Sequence, residues 1–435
     1  MKLWSRFVFT MMCALLSESV IADAYHDATA GRGKEITAAY FGVHFHRLQL
    51  VPGEKAIPTQ WPPVAFGAVR LWDSRVRWAD IAPRAGVWEF NRMDALVETA
   101  TEHHASLLYT LGSTPRWASA RPGETCPYGS GCAAEAINIG HWDEYVRRIA
   151  QRYGNRIAAY ELWNEPNFSD IDRDRNAPGF YTGSIANMIE MARHARRILD
   201  EVSPEAKLCT PGFVNGSDRL ERFLEAGGSK SVQAVCYHFY SGGSADFVRQ
   251  ILDVRAIMQR TGVSALPLWN TETGVDTLRH GDAPSGIAAT TDREAVARLS
   301  QMLILGAAVG LEHFYYYAWD NERSGMVTTT GQHLFGYQVL MQLQSWLLGT
   351  RLVDCSAIAD VVRCEGTRAH DQFLVMWSGK DAMHTIKAPS GWKIAGVDHL
   401  SGNVALPGPS GDKVSQSLVL GSEPVRVRLV RATNP

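Results

Sequence analysis

The chain has almost no net charge: its 43 Lys and Arg against 45 Asp and Glu leave −2 over 435 residues. No basic field therefore points to nucleic acid or to an anionic membrane surface. Past residue 24 no apolar run reaches the ~20 residues of a membrane span. No two cysteines stand at the close Cys-x2-Cys spacing of structural zinc sites. No GxGxxG loop follows an early strand-like run, which argues against a dinucleotide-binding sheet. Internal repeats and low-complexity tracts are missing as well. With 46% apolar and 20% charged residues, disorder, collagen and coiled coil are excluded. The length allows one large barrel with a small appendage. No cofactor and no metal are implied.

What is present begins with an export signature. Lys2 and Arg6 precede the apolar stretch Phe7 to Leu16, and Ala22-Asp23-Ala24 offers a small-residue cleavage site. Residues 1–24 read as a secretory leader, which places the protein in the periplasm or outside the cell. An uncleaved leader would tether it peripherally to the membrane. Six cysteines follow, and six allow fifteen pairings. Cys126 and Cys132 look like a loop staple, and Cys355 and Cys364 could close a hairpin. Cys209 and Cys236 lie in apolar strand-like runs and read as buried thiols.

Short β-rich runs alternate with helical stretches. The runs are Ala39–His46, Ala68–Trp72, Ser106–Leu111, Ala158–Trp163, Lys207–Thr210, Gln233–Tyr240, Leu268–Thr271 and His313–Trp319. Between them Phe180–Val202, His141–Tyr153 and Arg293–Val309 carry the 3.6-residue period. Eight strands alternating with helices predict an α/β fold, a (β/α)8 barrel over residues 25–348. From 349 to 435 alternating runs separated by Gly, Pro, Asn and Asp predict a small all-β, sandwich-like domain.

In such a barrel chemistry sits where strands end. The fourth run ends Trp163-Asn164-Glu165-Pro166, and the seventh ends Thr271-Glu272-Thr273-Gly274. Pro166 stops the one strand and Gly274 permits a sharp turn after the other, so both acids are aimed at the barrel mouth. Cleavage of a glycosidic bond needs two carboxyl groups, one to protonate the leaving oxygen and one to attack, or activate water at, the anomeric carbon.

These two motifs resemble those of the large clan of retaining (β/α)8 glycoside hydrolases, clan A. Within it the chain is similar to family 39, which holds β-xylosidases and α-iduronidase, and to endoglycosidases encoded beside exopolysaccharide pathways. The resemblance implies Glu165 as acid/base and Glu272 as nucleophile. It implies that Asn164 holds the sugar 2-hydroxyl and that Arg70 lies beneath the nucleophile. It also brings His238 and Tyr240 into the mouth, with the tyrosine donating to Glu272, and makes Trp319 the aromatic platform under the reacting sugar. His44 is the histidine of strand one expected to face that sugar. The acid's pKa should be raised by burial and by its neighbour's charge, while Glu272, beside Arg70 and Tyr240, should stay charged. A retaining enzyme places the two carboxyls about 5–5.5 Å apart, an inverting one roughly 6.5–9.5 Å.

The substrate expected is a polysaccharide or oligosaccharide, cut internally by a monomeric enzyme. The long loop Ser113–Ile139 would shape the groove, with Trp78, Trp88, Trp117, Trp142 and Trp163 available to line it and Asp170–Asn176 as a solvated loop. Exo-cleavage of the β-xylosidase kind is the nearest alternative. A metal-dependent barrel hydrolase built on His44-Phe45-His46, His238 and Asp320, and a non-catalytic glycan-binding protein, are the rivals from other classes.

Overall fold

The computed structural model describes residues 24–49, 57–170, 179–277, 290–402 and 414–432. The expected leader, apart from Ala24, and residues 171–178 of the polar loop after strand four lie outside the described residues. The chain forms a (β/α)8 barrel with an antiparallel β-domain at its C-terminal end.

The barrel strands, one to eight, are Phe41–Val43, Ala68–Leu71, Ser106–Thr110, Ala159–Glu161, Lys207–Cys209, Val235–His238, Leu268–Thr273 and Phe314–Tyr316. All eight expected runs are strands. Most are shorter than the apolar runs, because the backbone leaves the pleat for the mouth loops while the residues stay buried. Neighbours pair in parallel, and strand one pairs with strand eight. The ring closes between strands five and six, where Cys209 bridges Ala234. Strand five is broken by Thr210-Pro211, since proline brings no N–H to a ladder. It resumes as Phe213–Val214 beside strand six. In the break the Gly212 N–H donates to the Trp163 carbonyl and the Gly212 carbonyl accepts from the Glu165 N–H, each at 2.8 Å.

The intervening helices bury one face each. Helix Ile139–Tyr153 turns Trp142, Tyr145, Val146, Ile149 and Tyr153 inward, and the Asn138 side chain caps it by accepting from the Gly140 N–H. Helix Asp292–Ala308 starts with a capping box between Thr291 and Glu294. Inside the ring, Ala68, Leu108, Ala159, Cys209, Cys236, Trp269 and Tyr315 form one layer. Gly42 is small because Tyr315 lies across it: a Cβ there would meet the ring at 2.4 Å.

The disulfides are Cys126–Cys132, Cys209–Cys236 and Cys355–Cys364. Cys209 and Cys236 are thus bonded, which corrects their reading as buried thiols. They project inward from the two strands that meet at the closure, with Cα atoms 5.9 Å apart, within bridging reach.

The β-domain is a five-stranded antiparallel sheet facing a two-stranded ribbon, Ala382–Lys387 with Ser415–Leu420. Leu374, Met376, Ile386, Leu420 and Val427 fill the space between them. The N-terminal stretch joins this domain as well as the barrel: Glu35 bridges Arg351, and the Thr29 hydroxyl accepts from the Cys355 N–H at 2.9 Å.

Candidate active site

At the mouth, the ends of strands two, four, six and seven meet around one buried cation. Arg70 and Glu161 are fully buried. Arg70 donates from Nε to Glu161 Oε2 at 2.8 Å and from Nη2 to the same oxygen. Nη2 also donates to Asn164 Oδ1 at 2.7 Å, and Nη1 to Glu272 Oε2 at 2.8 Å. Thr110 adds a hydroxyl donor to Glu161 at 2.8 Å. Burial alone would discharge Arg70, but Glu161 and Glu272 outweigh it and hold its pKa above the ordinary value. The guanidinium is thereby fixed in one plane, one edge on Glu161 and the opposite side on Glu272 and Asn164.

Glu272 takes a second donor, the Tyr240 hydroxyl, on Oε1 at 2.8 Å. That phenol keeps its proton, because burial and then Glu272 push its pKa well above the usual tyrosine value. Glu165 sits in the left-handed region at φ 41°, a sparsely populated conformation for a side-chain-bearing residue, braced by the Gly212 carbonyl on its N–H. Its Oε1 is 2.9 Å from His238 Nδ1. His238 is fully buried, and burial, ahead of the neighbouring charges, lowers its pKa to about 4, so the ring is neutral near pH 7. Its Nε2 faces Glu161 Oε1 at 3.9 Å. Gly212 is required here, since a Cβ would stand 2.3 Å from Nε2 and 2.7 Å from that Glu161 oxygen.

One carboxylate oxygen of Glu165 and one of Glu272 lie within 4.8 Å of each other. Burial, first of all, pushes both pKa values up to about 7. Asp73 raises both further and Arg70 opposes it. Groups this close titrate as a pair that holds one proton between them. Glu272 accepts from a guanidinium and a phenol, and both contacts favour its charged form. Both acids rise, so the raised value expected of Glu165 extends to Glu272 as well.

A cleft of about 730 Å³ opens over the pair. Trp72, Asp73, Tyr128, Asn164, Tyr240 and Tyr317 are among its lining residues. Two expected contacts are placed otherwise. Trp319 is 1% exposed and packs on Phe66 and Tyr337, away from the cleft wall; Tyr317 is the aromatic ring of that segment that lines it. His44 is 1% exposed, and its Nε2 donates to the Thr271 carbonyl at 3.0 Å; His46 is the histidine on the cleft wall. Of the tryptophans expected to line the groove, Trp78, Trp142 and Trp163 are core; the tryptophan on the cleft wall is Trp72, which was not among those expected.

Glu161, Asp73, Tyr128 and Tyr317 are site residues that sequence reasoning missed. Tyr128 belongs to the Cys126–Cys132 loop and donates to Asp73 Oδ1 at 2.9 Å, and Tyr317 donates to Oδ2 at 2.8 Å. An alternating Tyr315, Tyr317, Trp319 pattern was the one available signal, and it marks a face without saying which ring reaches the mouth.

Glu165, His238 and Glu272 could between them offer three ligand atoms to a metal ion. The residues of the metallohydrolase alternative do not converge in the same way, since Asp320 accepts from the backbone N–H groups of His46 and Arg47. Glu161, Cys209 and Cys236 also lie together, but their sulfurs are bonded to each other and are not thiolates.

The sequence matches no protein-family model and no curated protein. Solved structures do resemble the chain. A family 39 glycoside hydrolase from the gut symbiont Bacteroides cellulosilyticus WH2 superposes with a TM-score of 0.66 at 14% identity, over 91% of this chain and 82% of that one. A glucosidase from Croceicoccus marinus gives 0.60 at 14% identity, over 92% and 98%. A glycoside hydrolase family 30 subfamily 8 xylanase from Clostridium acetobutylicum gives 0.60 at 12% identity, over 93% and 99%. At such identities the likeness is one of fold, and it extends over the barrel and the β-domain together.

Proposed function

We propose that the chain is a retaining O-glycosyl hydrolase of the clan A kind, acting within an exported polysaccharide. The observation that carries this reading is the approach of the Glu165 and Glu272 carboxylates to within 4.8 Å. As a nearest-oxygen distance it fits the about 5–5.5 Å carboxyl spacing of double displacement better than the roughly 6.5–9.5 Å of an inverting pair. In the first step Glu272 attacks the anomeric carbon, the glycosidic C–O bond breaks, and the Glu165 proton passes to the leaving oxygen. In the second, Glu165 takes a proton from water as the hydroxide displaces Glu272. Arg70 and Tyr240 hold Glu272 charged and turned. Asn164 has its Oδ1 committed to Arg70, which leaves its amide N–H groups for the sugar.

Internal cleavage is favoured by the shape of the site. Past Asn215 and Tyr240 the cleft adjoins a second one of about 560 Å³, lined by Tyr237, Asp246 and Arg249 among others. Such a groove suits a polymer lying across the acids. Export is supported by the disulfides, which persist outside the reducing cytosol. The leader at 1–24, the barrel at 25–348 and the β-domain at 349–435 complete the proposed organisation.

The test incubates residues 25–435 with β-linked glycans and exopolysaccharide, beside Glu272→Gln, and reads products by mass spectrometry and anomeric proton NMR. Oligosaccharides formed first with retained configuration support the proposal; inverted products or monosaccharide alone would overturn its retaining or its endo part.

A further inference from the structure

Asp73 follows strand two and lies on the cleft wall, close enough for its charge to raise both catalytic carboxyls. Its two oxygens are each bound by one tyrosine, Tyr128 on Oδ1 and Tyr317 on Oδ2. Both phenols are held protonated, since burial and then Asp73 push their pKa values up. Each is therefore a fixed donor, and each carboxylate oxygen keeps a lone pair.

Nothing about this clamp is loose. Tyr128 stands in the loop closed by Cys126–Cys132, accepts from Trp72 Nε1 at 3.1 Å and carries the Arg77 guanidinium 3.9 Å over its ring. Tyr317 stands at the end of strand eight with His44 and His46 against its ring.

The cations of the same cleft are otherwise engaged. Arg47 gives its N–H groups to the carbonyls of Ile57, Asp320, Thr328 and Thr329. Arg75 and Arg323 have partners of their own. Among the described lining residues, the wall thus presents an anion with acceptor capacity beside cations that already have partners. A sugar hydroxyl or ammonium can donate to it, whereas a sugar carboxylate meets a like charge in a partly dry site.

We propose that Asp73 is a specificity-determining residue of the glycone subsite, one that accepts a sugar bearing hydroxyl or amino donors and rejects a uronate. This rests on the reading of Glu272 as nucleophile, and it chooses between the neutral and the acidic substrates that the family resemblance leaves open.

The test uses carbocyclic epoxides of xylo, gluco and glucurono configuration on the intact protein, read by intact mass and by peptide mapping. In labelling, a Glu272 oxygen attacks the epoxide carbon, the C–O bond opens, and Glu165 protonates the freed oxygen, leaving an ester. Wild type is expected to be labelled by the xylo or gluco probe at least about 100-fold faster than by the glucurono probe. Asp73→Asn, which removes the charge and keeps an acceptor, should narrow that ratio at least about tenfold. Equal or faster labelling by the uronate in wild type overturns the inference and leaves the glycosidase reading standing, and so does a ratio unmoved in Asp73→Asn. No labelling by any probe, together with no product from the glycan incubation, overturns both. The wild-type ratio decides without the variant, should that fail to fold.

Discussion

Arg70 and Glu272 meet at 2.8 Å through Nη1 and Oε2 while the other side of the same guanidinium is locked on Glu161. The proposed nucleophile is thus oriented by a cation that cannot swing away. Glu272→Gln keeps an acceptor for Arg70 but cannot form the covalent intermediate. It is expected to lose at least about 10⁴-fold in kcat with little change in circular dichroism.

Glu165→Gln removes only the proton donor and base. A loss of roughly 10²–10⁴-fold is expected on substrates with poor leaving groups. On an activated aryl glycoside, where departure needs no proton, the first step should be much less impaired, which burst kinetics would reveal.

Tyr240→Phe deletes one hydrogen bond to Glu272 and little volume. About a tenfold fall in kcat is expected, measured under saturating substrate.

Activity should follow a bell-shaped pH profile with limbs on either side of about pH 7, because both carboxyls are raised to about 7 and one proton must be shared between them. Asp73 is among the causes of both raised values. Asp73→Asn should therefore move both limbs to lower pH, read from kcat/KM against pH.

The same carboxyls affect stability with a definite sign. Glu165 has a folded value of about 7 against an ordinary 4.5. The folded state holds the proton more tightly, so this contribution is full below 4.5 and is lost as pH rises through about 7. Glu165→Gln should be more stable than wild type at pH 8, by up to about 3 kcal/mol, with the gap closing below pH 4.5 in denaturant titrations.

Replacing both Cys209 and Cys236 by Ala removes a crosslink spanning 27 residues. The expected cost is about 3 kcal/mol of unfolding free energy, measured by urea titration.

The barrel and its two acids were legible because strand ends are punctuated locally: Pro166 after Glu165 and Gly274 after Glu272 mark where backbone turns into the mouth. Trp319 and His44 went astray for the same physical reason. Strand eight ends at Tyr316 and strand one at Val43. Beyond those points the period of two no longer says which way a side chain faces. Glu161 has no local signature at all, since an acid inside a strand shows its purpose only through Arg70, 91 positions away. The Cys209–Cys236 bond was hidden because the meeting of strands five and six is a property of the closed ring, not of either run. Tyr128 and Asp73 come together from two separate loops, and loop-to-loop contacts leave no periodicity to read.

The way Glu35 and Thr29 attach to Arg351 and Cys355 has a consequence for anyone dissecting the molecule. The described part of the chain enters beside the β-domain, runs once around the barrel and returns to that domain. A protease cutting near residue 349 would not release the β-domain, because the entering segment still grips it. Truncation there would strip the cover from that segment and from helix Asp292–Ala308, whose Gln301 donates to the Ser422 carbonyl at 2.6 Å. The two parts should melt as one cooperative unit in calorimetry, so the sheet at the end of the chain behaves as a clasp on the ring and not as a detachable tail.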